Sequence, residues 1–295
     1  MRQKLLHDLF IGGNMKIIQL KNFSPTQMMG FLIIADDGTL IVIDGGNRAD
    51  TEGFLNALEE FRGSRFATID YWFMTHPHDD HYGVFAELTD RAATGARIPG
   101  CRNFCYFPQD NSLGMHEKHF AGQIVEFNEK AAATKYPVTH LKVRDKFVFG
   151  NLTVEVLRVP DPSITENAFN NSSCILKFTE MRGMKDDFVM IFLGDLGVEG
   201  GRQLLEVCPE GIKADAVQLA HHGQNGVGRE VYEAIAPRFA FFCTPDWLWY
   251  NTIDPAKPGC GPWKTLEVRQ WMRELGAVPV RACEKNVVFD TAWID

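Results

Sequence analysis

No stretch of the 295 residues approaches the roughly 20 consecutive apolar residues of a membrane span, so nothing in the sequence argues for a membrane-embedded chain. Positive charge is in short supply. Thirty Lys and Arg against 38 Asp and Glu leave a formal net charge of −8, which disfavours broad attraction to nucleic acid or anionic membranes, although a bound dication can reverse the sign locally. Cysteines are few and dispersed: Cys101, Cys105, Cys174, Cys208, Cys243, Cys260 and Cys283 make an odd set. Such a set fits free thiols in a reducing cytosol better than a disulfide framework. Arg2 and Lys4 precede Leu5-Leu6, but His7 and Asp8 interrupt the apolar segment too early for a secretory signal, and a cytoplasmic protein is expected. No Pro/Gly/Ser-rich linker breaks the alternation of apolar runs. The expected organisation is one domain over residues 15–295, preceded by an extension over 1–14 with no assigned function; 295 residues are ample for a sizeable core.

What the chain does have is Thr75-His76-Pro77-His78-Asp79-Asp80-His81-Tyr82-Gly83, which places four metal-ligating side chains within six positions. The apolar run Ile69–Met74 before it reads as a buried strand, and the run from Tyr82 towards Leu88 as the start of a helix. His76 and His78, two apart at a strand end, face one side while the backbone stays extended. Asp80 and His81 fall in the turn into the helix. Such a turn can aim imidazole nitrogens and a carboxylate at one point.

In chain order, strands are expected at Lys16–Leu20, Gly30–Ala35 and Leu40–Ile43, the last two joined as a hairpin through Asp37-Gly38. Asp44-Gly45-Gly46-Asn47 follows; Asp44 fits equally a turn former and a carboxylate that orients ligand imidazoles. Phe54, Leu55, Leu58 and Phe61 recur at helical spacing over Asp50–Arg62. Between Arg97 and Val148 a strand near Asn103–Phe107 and a helix near Glu117–Ala133 are expected, in a segment long enough for a lid or pocket wall. His116, His119 and His140 there read as surface or cleft groups. Lys146–Phe149, Leu152–Val159, Cys174–Phe178 and Phe188–Leu193 are strand candidates, the last ending in Gly194-Asp195. A carboxylate at a buried strand tip is costly unless paired, hydrogen-bonded or metal-bound. After a helix near Gly200–Val207, the strand Ala214–Ala220 runs into His221-His222-Gly223-Gln224-Asn225-Gly226, again ligand types at a strand tip. Strand Phe239–Cys243, helix Trp263–Leu275 and strands near Val278–Arg281 and Asn286–Phe289 complete a second β/α set.

These residues resemble the metallo-β-lactamase superfamily of metallohydrolases. His76, His78, Asp80 and His81 match its His-x-His-x-Asp-His motif, Asp44 its first-motif aspartate, Asp195 its bridging aspartate, and His221 or His222 its last histidine. Within it, Asn171–Leu176, Phe192–Asp195 and His221–Gly223 look most like the branch that contains the nuclease-like domain of the competence protein ComEC and the phosphorylcholine esterases. The resemblance implies an α/β fold, the four-layer αββα sandwich, with the site at one edge of the two sheets. It implies hydrolysis, often of phosphodiesters. The sequence departs from the pattern in having no histidine between His140 and His221, where Asp161 and Asn171 occupy the region of a further ligand. Trp247, Trp249, Tyr250 and Trp263 stand where relatives carry small polar residues, so a more aromatic pocket is expected.

The expected centre holds two divalent ions, Zn²⁺ first and Mn²⁺ or Fe as alternatives. One sits on His76 and His78, with Asp161 or Asn171 as a weak third ligand. The other sits on Asp80, His81 and one of His221/His222, with the lean to His222, and Asp195 bridges. Ions roughly 3.5–4 Å apart would share a hydroxide as the nucleophile. His221, Asn225 or Ser173 would then bond a phosphoryl oxygen or steer the leaving group, and Asp80 has proton transfer as an alternative role. The expected substrate is a small molecule or a phosphodiester, with nucleic acid not favoured. Hydrolysis of a lactone, thioester or β-lactam, and a non-enzymatic metal-binding protein, are the competing readings.

Overall fold

The computed structural model describes residues 14–208 and 211–294; of the expected N-terminal extension, only Asn14 falls within the described residues. The strands are β1 (Lys16–Gln19), β2 (Gly30–Ile34), β3 (Leu40–Asp44), β4 (Tyr71–Phe73), β5 (Phe104–Tyr106), β6 (Val138–His140), β7 (Lys146–Phe149), β8 (Leu152–Arg158), β9 (Ile175–Glu180), β10 (Phe188–Phe192), β11 (Ala216–Gln218), β12 (Phe239–Phe242), β13 (Val278–Arg281) and β14 (Val287–Asp290). They form two seven-stranded sheets, ordered β14-β1-β2-β3-β4-β5-β6 and β13-β12-β11-β10-β9-β8-β7. The longer helices are α1 (Thr51–Arg62), α2 (Asp79–Ala93), α3 (Ala121–Ala133), α4 (Val198–Val207), α5 (Arg229–Ile235) and α6 (Thr265–Glu274). No helix among the described residues is long and apolar enough to cross a membrane.

Three apolar layers explain the stacking. Between the sheets, Ile17, Phe31, Ile33, Ile41 and Ile43 meet Val154, Phe178, Met190, Phe192 and Phe241, with Phe31 edge-on to Phe192 at 5.1 Å. On the outer face of the first sheet, Trp72 and Phe104 pack under Phe54 of α1, Phe85 of α2 and Phe127 of α3. On the outer face of the second, Ile191, Val217 and Ala240 are covered by Leu204 of α4, Tyr232 of α5 and Met272 of α6. β2 and β3 are buried at every position, which is why they read as unbroken apolar runs rather than alternating ones. The result is the αββα sandwich.

The expected hairpin is present: β2 and β3 pair antiparallel with Gly30 opposite Asp44, and Gly38 takes a φ of 85° that favours glycine. β3, β4, β5 and β6 run parallel, as do β10, β11, β12 and β13. The carboxyl ends of β3, β4, β10 and β11 therefore carry Asp44, His76, Asp195 and His222 to one edge of the sandwich. Among the strands and longer helices, two are not marked by the sequence pattern. β6 is a short edge strand with exposed ends, and α5 spans only seven residues, too short for a clear helical period. The helix expected from Glu117 starts at Ala121 after a 3-10 turn over Lys118–Phe120.

Candidate metal centre

The first sheet delivers its donors through one turn. Past β4 the Met74 N–H still donates to the Cys105 carbonyl at 2.9 Å, after which the chain leaves the sheet. Thr75 then donates twice to Asp44, from its N–H (2.8 Å) and its hydroxyl (2.7 Å). His78 is the extended N-cap of α2. Asp79 and Asp80 occupy the first helical turn, where a negative charge is favoured by the helix dipole. The Asp80 and His81 carbonyls accept from Met29 N–H (3.1 Å) and Gly46 N–H (3.3 Å), so the helix start is fixed to β2 and β3.

The second sheet delivers Asp195 and His222. Gly194 has a φ of 53°, and a Cβ there would lie 2.8 Å from Ser173 Oγ and 3.1 Å from Thr75 Cβ, so only glycine fits. The Asp195 N–H donates to Ser173 Oγ at 3.0 Å. His221 and His222 both adopt the left-handed backbone region, with φ of 51° and 56°. Such non-glycine conformations cost about 1–3 kcal/mol each and persist where the surroundings enforce them. Here the His221 N–H donates to the Gly194 carbonyl at 3.0 Å, and the Thr244 hydroxyl donates to the His222 carbonyl.

Two groups of donor atoms result, each within 4.8 Å: Asp80, His81, Asp195 and His222, and His76, His78 and Asp195. Asp195 belongs to both. Its Oδ1 lies 3.2 Å from His81 Nε2, and its Oδ2 lies 3.5 Å from His222 Nε2 and 3.8 Å from His76 Nε2. All six side chains are buried. His81 Nδ1 faces Asp44 Oδ2 at 2.7 Å, and His222 Nδ1 faces the Cys243 carbonyl at 3.0 Å. Both partners are acceptors, so each ring donates from Nδ1 and its Nε2 is turned to the centre.

The residues fit a pair of divalent ions. His81 Nε2, His222 Nε2 and both oxygens of Asp195 are buried without a hydrogen-bond partner, a set whose burial is costly unless something positive lies between them. The donors are imidazole and carboxylate only, which suits zinc and is compatible with iron or manganese. Without ions the centre holds protons instead. Burial resists charge on His81, but Asp195, Asp44 and Asp80 outweigh it and hold the ring well above its ordinary value. His222 is likewise raised against burial, by Asp195 and Asp80, to about 9. Burial dominates at His76, His78 and His221, lowering all three, His78 to about 4. Asp80 and Asp195 are held below their usual range despite burial, chiefly by His81 and His222.

Of the other expected site residues, several stand apart from the donors. Asp161 lies outside both donor groups: its carboxylate caps the Ser163 N–H at 2.9 Å and accepts from Gln203. Asn171 is also committed elsewhere, its Oδ1 accepting from Gly197 and Gly200 N–H groups. Ser173 is fully buried, and its Oγ accepts from the Asp195 N–H, so it helps to position that carboxylate. The Asn225 side chain accepts from Lys264 N–H at 3.0 Å and ties down the histidine loop. His221 lies at the rim, its side chain 20% exposed and its Nε2 3.9 Å from Asp195 Oδ2. Its Nδ1 meets the Asn225 carbonyl at 3.3 Å.

Two residues of the centre carry no mark of their own in the sequence pattern. Thr75 binds Asp44 and also approaches His76 Nδ1 at 3.1 Å and His81 Nδ1 at 3.3 Å; its place beside His76 was the available signal. Gln27 donates to Asp80 Oδ2 at 2.9 Å and accepts from Gln224 at 3.0 Å. It lies in a segment with no periodic pattern, where nothing marks it.

The sequence model described as the metallo-beta-lactamase superfamily matches residues 31–165. The match spans less than half of the chain, and the αββα architecture is that of the metallo-β-lactamase fold. The metallo-β-lactamase fold protein YhfI from Bacillus subtilis superposes with a TM-score of 0.52 at 11% identity, covering 94% of this chain and 99% of that one. CmlA, a diiron beta-hydroxylase from Streptomyces venezuelae, gives 0.53 at 12% identity, covering 94% of this chain and 54% of that one. MEM-A1, a subclass B3 metallo-beta-lactamase from a soil metagenome library, gives 0.45 at 12%, over 72% and 78%. At these identities the likeness is one of fold, and fold alone does not assign a reaction. No curated protein sequence matches the chain. The shared fold and the cluster of buried His and Asp side chains together make this edge of the sandwich a candidate metal centre.

Proposed function

We propose that the chain hydrolyses phosphodiesters, a small one rather than a long nucleic acid, with two divalent ions, zinc in the first instance. The observation that carries this reading is the shared carboxylate of Asp195, which joins a four-donor and a three-donor group into one centre. Ions held there supply Lewis acidity, activate water near neutral pH and offset charge on the attacked and leaving oxygens. Asp80 is held by Gln27 and faces His222 Nε2 at 3.1 Å, which supports a ligand role for it and favours another group for proton transfer. His221 suits that role. Its Nδ1 donates to the Asn225 carbonyl, so a neutral ring presents Nε2 at the rim as an acceptor for a proton from water or substrate. The likeness of Asn171–Leu176 and His221–Gly223 to the ComEC-like branch favours phosphodiesters over the competing acyl substrates.

A panel of chromogenic phosphodiesters, phosphomonoesters, thioesters, lactones and a β-lactam, assayed with Zn²⁺, Mn²⁺ and Fe²⁺, tests the reading. Phosphodiester turnover that disappears on chelation is expected. Turnover confined to an acyl substrate overturns it.

A further inference from the structure

Beside the metal centre lies a cavity of about 290 Å³, between the chain that follows β5 and the chain that follows β8. Its position follows from topology. β5 is the parallel neighbour of β4, which leads to His76, and the end of β8 lies against the start of β9, just past Ser173. Ala168 and Ser172 line the cavity on either side of Phe169, whose ring stacks on His78 at 5.3 Å, and the Ser172 hydroxyl donates to the Phe169 carbonyl at 2.6 Å. Cavity and metal centre therefore share a wall.

The lining is apolar at Phe107, Leu113, Pro160 and Ile164 and acidic at Asp110 and Asp161, with no Lys or Arg. Asp110 caps the Ser112 N–H at 2.7 Å. Asp161 is bound by the Ser163 N–H and Gln203. Arg158, whose charge acts on Asp161, is itself buried and donates to the Asn171 and Ser173 carbonyls at 3.0 Å each and to Gln203 at 2.8 Å. His116 is the remaining titratable group on the lining.

We infer that this cavity receives one alcohol of the substrate, and that the group it takes is apolar and uncharged or cationic, never anionic. The inference rests on the hydrolytic reading of the metal centre, and it narrows the substrate to a phosphodiester with one compact apolar arm. A strand of nucleic acid would set a further phosphate against Asp110 and Asp161, and like charges in a partly enclosed site repel. A volume of this size accepts a single ring or a short branched chain.

The test reads binding without turnover. Benzylammonium and benzoate, equal in shape and opposite in charge, are titrated onto the metal-loaded full chain by calorimetry or ligand-observed NMR. The variants are Leu113→Trp, which fills the cavity, and the double variant Asp110→Asn/Asp161→Asn, which keeps both turn caps and removes the charge. Benzylammonium is expected to bind and to lose about tenfold in affinity in each variant. Benzoate is expected to show no binding that Leu113→Trp abolishes, any attachment to the metals being unaffected. Benzylammonium binding indifferent to both variants, or benzoate binding that Leu113→Trp removes, overturns the inference. Should Leu113→Trp fail to fold, the double variant decides alone. A chain that binds benzylammonium as stated yet hydrolyses no phosphodiester refutes the proposed activity and leaves the cavity's preference standing.

Discussion

Asp44 and His81 are 37 positions apart in sequence, yet Oδ2 of the first lies 2.7 Å from Nδ1 of the second, both fully buried. Asp44 holds this position with a φ of 53°, and it also accepts from the Thr75 N–H and hydroxyl. In the neutral ring the pair keeps the proton on Nδ1, so that the Nε2 lone pair points at Asp195.

Asp44→Asn tests that relationship at constant shape, and asparagine tolerates the left-handed backbone. The amide places an N–H where His81 or Thr75 needs an acceptor. The expected result is a folded chain with metal affinity lower by about 10–100-fold, read by competition with a chromogenic chelator. Unchanged affinity would remove Asp44 from the centre.

The two donor groups are unequal, four side chains against three. The four-donor group should fill first in a zinc titration, the second equivalent binding more weakly. His78→Ala should then retain one equivalent, whereas Asp195→Ala should lose the second outright and weaken the first. Elemental analysis after dialysis separates these outcomes, and two equivalents retained in Asp195→Ala would refute a shared carboxylate.

Metal-free protein should be most stable near pH 6.5. His81 and His222 have folded values above the ordinary 6.5, that of His222 about 9, so the stability they contribute is complete below pH 6.5 and lost as pH rises through about 9. His76, His78 and His221 are lowered. They act in reverse, costing stability as pH falls from 6.5 towards about 4, the folded value of His78. Asp80 and Asp195, lowered from 3.8, contribute stability that is present above about pH 4 and lost as pH falls further. Thermal unfolding from pH 4 to 9.5 with chelator present reads the curve. A Tm still climbing at pH 9 would contradict the protonated state of His81 and His222. Ions displace those protons, so metal affinity should rise with pH up to about 9.

Gly194→Ala should destabilise by about 1–3 kcal/mol through backbone strain, on top of the clash with Ser173 and Thr75. Because Asp195 follows directly, metal affinity should fall with it. Denaturant unfolding of metal-free and metal-loaded protein separates the two effects, and a neutral result would show that the strand tip can yield.

Much of this centre is written locally. His76, His78, Asp80 and His81 share one strand-to-helix turn, and Asp195 and His222 each follow an apolar strand, so residue type and periodicity point at them directly. β2, β3, β8, β9 and β10 were legible for the same reason, being long and buried on at least one face. What stayed hidden is whatever depends on which strands become neighbours. Ser173 looks like a substrate-facing hydroxyl until β9 and β10 are paired and its oxygen meets the Asp195 N–H. Asp161 looks like a ligand until Gln203, 42 positions on, claims it. Gln27 reaches Asp80 across 53 positions from an irregular segment, and no local pattern encodes that contact.

The donors come from both halves of the sandwich, His76, His78, Asp80 and His81 from the first sheet and Asp195 and His222 from the second. A bound ion pair is therefore a crosslink in a chain whose described cysteines are all free. It closes loops of more than a hundred residues at the seam where the sheets must part during unfolding. Such a crosslink acts on the rate of opening as much as on equilibrium stability. The same atoms that would cleave a substrate thus also set how long the two halves stay together under heat or protease, and chelation should shorten that lifetime even in a variant with no activity.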